Sequence, residues 1–298
     1  MTGRIKSSGR RLLLLLAGVS LFVGCELINP PEEIPAFMEI DNFELTTRGG
    51  EGSNSHKITD AWVYVNGEFL GAFPLPATVP VLWSGDAELF IDPGIKENGI
   101  ESTPNIYPYY QRFMSSINLT PGETIQIEPT TRYKTNIDIP YLEPFDGSLH
   151  TLQEGFDEDP NTVVDITDAE VLEGTGSGRI VLTAANPEIL VATSSMLRSL
   201  PTDGLSPVYL EMDYKNDIPF EVGLRGTTNS GVGGFEFRNG LNIKDNWNKV
   251  YLNLTESLRV SQLDQYQIAI RAVYPPEGFD ESEAVILLDN LKLVHREQ

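Results

Sequence analysis

From residue 36 onward, apolar side chains recur at every second position in short runs, and turn residues break the runs. Thr59 to Val65 alternates, Asn66-Gly67 supplies the pair that a two-residue hairpin turn needs, and Glu68 to Phe73 returns. Ala87 to Ile91 repeats the pattern, as does Thr124 to Ile127 after the Pro121-Gly122 turn. Successive side chains of a strand point to opposite faces, so a period of two marks a strand buried on one side. No window of helical length shows a 3.6-residue apolar period. Residues 36–139 therefore read as a small antiparallel β-sandwich.

A second set of strands occupies 140–298. Val208, Leu210, Met212 and Tyr214 share one face, and Phe220, Val222 and Leu224 share another, with Phe235 and Phe237 following. Val250, Leu252 and Leu254 come next, then Ile268 and Ile270, and finally the run from Ala284 to Val294. Half a dozen or more strands joined by Gly- and Asn-rich turns predict a second antiparallel sandwich. The fold class is all-β, with two sandwich modules. The same alternation sorts the outward positions: Glu221 and Arg225, Glu236 and Arg238, Trp247, Lys249 and Tyr251, Gln267 and Arg271. A face carrying Trp and Tyr rings beside Arg suits a sugar, whose apolar ring faces stack on aromatics while its hydroxyls meet planar polar groups. Trp247, Tyr251, Arg225 and Arg271 are thus the candidate ligand-binding residues. The plainer alternative is that Trp247 is a rim or core aromatic and the charges are merely solvated.

The first 24 residues follow another pattern. Arg4, Lys6, Arg10 and Arg11 precede an almost wholly apolar run from Leu12 to Val23, closed by Gly24-Cys25. About a dozen apolar residues are too few to span a bilayer, which takes about 20, and the order is that of an export signal. Leu21-Phe22-Val23-Gly24-Cys25 resembles the lipobox of bacterial lipoproteins, with Phe22 where that family has Leu. The resemblance implies that Cys25 carries lipid, begins the mature chain, and tethers it to the bilayer. Cys25 is the only cysteine, so no disulfide competes for it. Residues 25–35 read as the lipidated Cys and a linker, since Pro30, Pro31 and Pro35 block helix and Glu32-Glu33 keep the segment solvated. Acidic residues placed so soon after such a Cys resemble the export signals of Bacteroidota surface lipoproteins. That implies an outer-membrane protein, facing either the periplasm or the cell exterior.

Charge narrows the partners. The chain carries a net charge of −22, and its signal holds basic residues without acidic ones, so the exported part is more acidic still. Such a surface repels nucleic acid and other anionic polymers. Catalytic signatures are missing too. There is no G-x-S-x-G, no H-E-x-x-H and no phosphate-binding glycine loop, and His56, His150 and His295 share no metal-ligand spacing. Carboxylate pairs suited to glycoside hydrolysis are too easily found in so acidic a chain to single one out. The chain reads as a non-enzyme.

Two further resemblances bear on the modules. Val63, Val65, Asn66, Gly67, Gly71, Pro74 and Leu75 fall on the hairpin pattern of PEGA-type β modules of bacterial envelope proteins. In the second half, Gly155-Phe156-Asp157, the stretch Trp247 to Leu254 and the terminal Leu288 to Leu293 resemble jelly-roll carbohydrate-binding modules. That likeness implies a jelly-roll-like sandwich and a polysaccharide partner. It also implies a structural calcium tying the first strand to the last, with Asp157, Glu158 and Asp159 near one end and Asp289 at the other; crowded carboxylates suit a hard cation. Two functions of different class remain open at this point: a glycan-binding lipoprotein, or a structural adaptor docking onto an envelope protein complex.

Overall fold

The computed structural model describes residues 32–275, Phe279 and residues 281–297. The expected signal, Cys25 and the start of the linker lie outside these residues. Among the described residues, strands account for nearly all regular structure, and one short helix, α1 (Thr255–Ser261), interrupts them. The all-β reading holds.

Ten strands build the first sandwich: β1 (Ala36–Ile40), β2 (Glu44–Leu45), β3 (Asp60–Val65), β4 (Glu68–Pro74), β5 (Ala77–Val81), β6 (Gly85–Lys96), β7 (Pro104–Ile106), β8 (Phe113–Leu119), β9 (Thr124–Ile127) and β10 (Thr130–Thr131). The β3–β4 hairpin turns at Asn66 (φ 51°) and Gly67 (φ 82°), both in the left-handed region that a tight two-residue turn requires. One sheet runs β4-β3-β6, and β6 is long enough to pair with β8 along its first half and β7 along its second. A smaller sheet sets β1 between β5 and β9. Here β1 and β9 are parallel, as are β2 and β10, because the paired strands are far apart in sequence and no hairpin dictates their direction. Met38, Ile40, Val63, Val79, Leu89 and Ile91 fill the space between.

The second sandwich is built from β11 (Ile137–Glu143), β12 (Leu152–Gln153), β13 (Val164–Thr167), β14 (Ser177–Thr183), β15 (Glu188–Thr193), β16 (Leu197–Arg198), β17 (Val208–Asn216), β18 (Phe220–Thr227), β19 (Gly233–Leu241), β20 (Lys244–Asn253), β21 (Gln265–Val273) and β22 (Glu283–Arg296). The junction-side sheet runs β13-β14-β22-β17-β20 with β11 added on β22; the distal sheet runs β12-β15-β21-β18-β19 with β16 added on β21. All the pairings in both sheets are antiparallel. Leu210, Met212, Ile286 and Leu288 face Val222, Leu224, Ile268 and Ile270 across the core. The pairing of this sandwich begins at Ile137, so the boundary expected between residues 139 and 140 falls inside β11. Pro140 sits at a register shift between Asp138 and Tyr141, where a residue without an N–H is tolerated.

The two sandwiches share a buried seam. Tyr209, Tyr251 and Val294 point away from the second core and pack into the first, among Tyr107, Tyr109, Tyr110 and Tyr133. Rings meet edge to face, with Tyr107 4.6 Å from Tyr110 and 5.2 Å from Tyr209. Within this seam the Glu211 carboxylate accepts bonds from the hydroxyls of Tyr107 (2.6 Å) and Tyr133 (2.8 Å), and Lys292 Nζ donates to the Tyr133 hydroxyl at 2.9 Å. Lys249 lies 3.3 Å from Asp213 and 3.7 Å from Glu211. Two acids and two bases are thus buried together, each with hydrogen-bond or ionic partners, the condition for tolerating charge away from water.

Candidate ligand-binding site

The distal sheet turns one face to the core and the other to solvent. On the solvent face its side chains fall in lateral rows. Arg225 on β18 stands between Gln267 on β21 and Phe235 on β19; Gly223 stands between Ala269 and Phe237; Glu221 stands between Arg271 and Gly240. Ala192 on β15 extends the middle row beyond Ala269. Small residues therefore lie along the middle of this face, buried beneath the larger side chains around them, and Phe237 ends their row. Gly223 is required by the close approach of β19: a Cβ there would meet the Glu236 carbonyl oxygen at 2.1 Å and Phe237 Cα at 2.8 Å.

Aromatic and planar charged groups are interleaved on this face. The Arg225 guanidinium lies 5.1 Å from the Phe156 ring and 5.8 Å from the Phe235 ring, and donates to Gln267 Oε1. Phe156 meets Phe235 edge to face at 5.3 Å, and the Phe235 and Phe237 rings are parallel within 4° at 6.1 Å. Arg271 stacks on Phe237 at 4.7 Å, and its Nε donates to Glu221 at 2.9 Å. Phe156, Phe235, Phe237, Arg225, Arg271 and Glu221 are all half-buried, held in place yet open to solvent. At the Arg271 end the face runs into a groove of about 330 Å³ beside Pro219, Gly240 and Asn242.

The residues expected to bind ligand do not meet on one face. Arg225 and Arg271 share the distal sheet as anticipated. Trp247 and Tyr251 lie on β20 of the other sheet, on the opposite side of the sandwich. Both point off the core and towards the first sandwich, which covers Tyr251 and leaves Trp247 half-buried. Tyr251 is 1% exposed, its hydroxyl 3.1 Å from that of Tyr110 and accepting the Lys57 N–H at 3.0 Å. Trp247 lines a groove at the junction with Ser55, His56 and Lys57. Burial in this groove lowers the His56 pKa, with Lys249 adding to the effect.

The aromatic members that do stand beside Arg225 and Arg271 are Phe235 and Phe237, which simple alternation assigned to the core. The reason is a bulge. Phe220 pairs with Leu241 and Val222 with Asn239, but Gly223 pairs with Phe237, so β19 gains a residue and its phase reverses. Phe156 comes from the loop before β13 and has no period to reveal it.

The calcium set is also separated. Asp157 is committed to its own loop and to the distal sheet, accepting from Asp159 N–H (3.1 Å), the Thr162 hydroxyl (3.2 Å) and Leu190 N–H (2.8 Å). Asp159 accepts from the Asn161 N–H and side chain at 2.9 Å. Glu158 occupies the turn between them at φ 65°. Asp289 is on β22 of the junction-side sheet, beside Asp213. Among the described residues, no three acidic, histidine or cysteine side chains are grouped as metal ligands. Asp157, Glu158, Asp159 and Asp289 do not form one cation site.

No family model matches the chain, and no curated protein matches it. Among solved structures it is similar to a family 22 xylan-binding domain of Paenibacillus barcinonensis, at 13% identity over 54% of this chain and 96% of that one, with a TM-score of 0.38. It is similar to a family 30 carbohydrate-binding module of a cellulosomal cellulase of Clostridium thermocellum, at 12% identity over 53% and 96%, with a TM-score of 0.37. A carbohydrate-binding module of the β-sandwich superfamily, described as promiscuous in specificity, covers 78% of this chain and is itself covered over 84%, at 14% identity and a TM-score of 0.36. These are distant likenesses among β-sandwiches, and the site described above stands on its own geometry.

Proposed function

We propose that this chain is a non-catalytic, lipid-anchored lipoprotein of the outer membrane that binds a neutral glycan on the solvent face of its distal sheet. The observation that carries the reading is the face itself: Phe156, Phe235, Phe237, Arg225, Arg271 and Glu221 stand half-buried over the small, covered residues Gly223, Ala269 and Ala192. A sugar offers an apolar ring face and a rim of hydroxyls, and this surface offers rings and planar hydrogen-bonding groups side by side. Arg271 is paired with Glu221, so these residues sum to one positive charge, on Arg225, in an otherwise acidic protein, and a largely uncharged ligand fits such a face. Each hydrogen bond contributes only about 1 kcal/mol net, so a dissociation constant between roughly micromolar and millimolar is expected. Affinity electrophoresis of the chain from Glu26 through neutral and acidic polysaccharides tests this. Retardation by at least one neutral glycan supports the reading, and free migration through all of them refutes it.

The anchor belongs to the same proposal and rests on the basic, apolar and Gly24-Cys25 order of the N-terminus. Cys25→Ser is expected to abolish palmitate labelling and either to leave the precursor uncleaved or to release a soluble form; a Cys25→Ser protein that still labels and fractionates with membrane contradicts it.

One observation favours the adaptor reading as a second function. On the outer face of the first sandwich, Phe69, Tyr64, Phe90 and Met114 form a single row across four strands. Phe69 and Met114 are 48% and 68% exposed, while Arg112 lies over Tyr64 and Phe90, held by Asp92 at 2.8 Å. Such a flat aromatic row suits a protein surface better than a sugar chain.

A further inference from the structure

The first sandwich ends in an exposed apolar tip at the point where the chain enters it. Three segments meet there. Ala36 pairs with Val81, which brings Ile34 beside the loop Leu82-Trp83-Ser84. The β8–β9 turn closes the third side, with Gly122 N–H donating to the Pro35 carbonyl at 2.9 Å and Phe37 N–H to that of Glu123 at 2.9 Å. Glu33, Ile34, Leu82, Trp83, Ser84 and Pro121 line a shallow groove of about 540 Å³. Ile34 is 66% exposed, Leu82 64% and Trp83 47%. The Trp83 ring is fixed in this position, because its Nε1 donates to the Asp86 carbonyl at 3.1 Å. Single exposed apolar residues are ordinary on a protein surface; a Trp, a Leu and an Ile grouped at one end call for a partner.

We infer that this tip rests in the headgroup layer of the bilayer that holds Cys25, with Leu82 and Trp83 at the lipid interface. The inference rests on the lipid-anchor reading. The argument for this occupant is the length of chain outside the described residues and where it leads. Glu33 follows Cys25 by eight residues, which reach at most about 28 Å when fully extended. A tether that short keeps the chain-entry end of the sandwich within that distance of the membrane, and the apolar groove is at that end. Trp is favoured in such a layer because its ring is apolar while its N–H keeps a polar partner. Glu32, Glu33 and Glu123 border the tip, so a zwitterionic surface fits and an anionic one is repelled. Besides the lipid, the groove then supplies a second point of attachment, and two points fix the orientation of the sandwiches over the membrane.

The test uses the full lipidated chain in vesicles of phosphatidylcholine and phosphatidylethanolamine, with spin-labelled lipid as quencher. Trp62→Phe and Trp247→Phe leave Trp83 as the reporter. Trp83 emission is expected to shift to the blue and to lose most of its intensity to the spin label, and to gain protection from acrylamide relative to the free, unlipidated chain from Glu26. If the double variant does not fold, the difference between wild type and Trp83→Phe reports the same signal. A chain that floats with the vesicles while Trp83 keeps its aqueous emission overturns the inference and leaves the anchor intact. A chain that does not float at all removes the anchor, and the inference with it. A blue shift in the free chain that grows with protein concentration places a second copy on the tip and also overturns it.

Discussion

Asp289 shows what a single buried residue contributes. It is fully buried, its Oδ1 accepts the Asn290 N–H at 2.8 Å, and its Oδ2 has no hydrogen-bond partner among the described residues. Burial pushes its carboxyl up to about 7, and the neighbouring Asp213 and Glu173 push in the same direction. An unfolded aspartate titrates near 3.9, so between about pH 4 and pH 7 the native state holds a proton that the unfolded state has released. Stability therefore falls as pH rises through that window, by at most roughly 1.4 kcal/mol per pH unit. Asp289→Asn removes the titrating group and keeps the shape. Denaturant titrations across the window are expected to show a shallower slope for the variant than for the wild type, and higher stability for the variant above about pH 7. Parallel curves would show that Asp289 is ionised in the native state. At this scale the sequence was informative about side and silent about cover. Alternation correctly placed Tyr251 and Lys249 off their own core, yet both are buried, because a period of two cannot say what packs against the outward face.

At the scale of elements, the strands were the most legible part of the chain. The β3–β4 hairpin was announced by Asn66-Gly67, and β17, β18, β20 and β21 by clean alternation. What escaped was phase and partnership. The β19 bulge moved Phe235 and Phe237 from the expected core to the exposed face, because one extra residue inverts every position beyond it. Edge strands hold such bulges readily, since only one neighbour constrains them, and β19 is an edge strand. Sheet membership was equally hidden. Alternation sorts residues into in and out along each strand, but it does not reveal that β20 and β18 belong to opposite sheets. Trp247 and Arg225 therefore looked like companions and are separated by the thickness of the sandwich. Half of the candidate site, Arg225 and Arg271, was readable; its aromatic half required the fold.

Across the whole molecule, the two sandwiches share a buried seam. Tyr209, Tyr251 and Val294 complete the core of the first sandwich while belonging to the strands of the second. Residues 137–298 have their own core and are expected to fold alone, but cutting away the first sandwich exposes these side chains, Glu211 and Lys292. Burying a large apolar side chain contributes roughly 1.5–3 kcal/mol, so the fragment is expected to melt well below the intact chain. The intact chain is expected to unfold in a single transition by calorimetry. A fragment as stable as the whole, or two separate transitions in the intact chain, would mean that the seam contributes little.

The proposed function turns on which face of the second sandwich meets the ligand, and one comparison addresses that directly. The chain from Glu26 is titrated by calorimetry with the neutral glycan that retards it most, as wild type, as Phe235→Ala/Phe237→Ala and as Trp247→Ala. The two phenylalanines are on the solvent face of the distal sheet, whereas Trp247 is on the junction-side sheet. Loss of binding in the double variant, with an unchanged far-ultraviolet spectrum, and wild-type affinity in Trp247→Ala are the predicted results. Undiminished binding without Phe235 and Phe237, or binding lost with Trp247, would contradict the assignment and move the ligand to the junction.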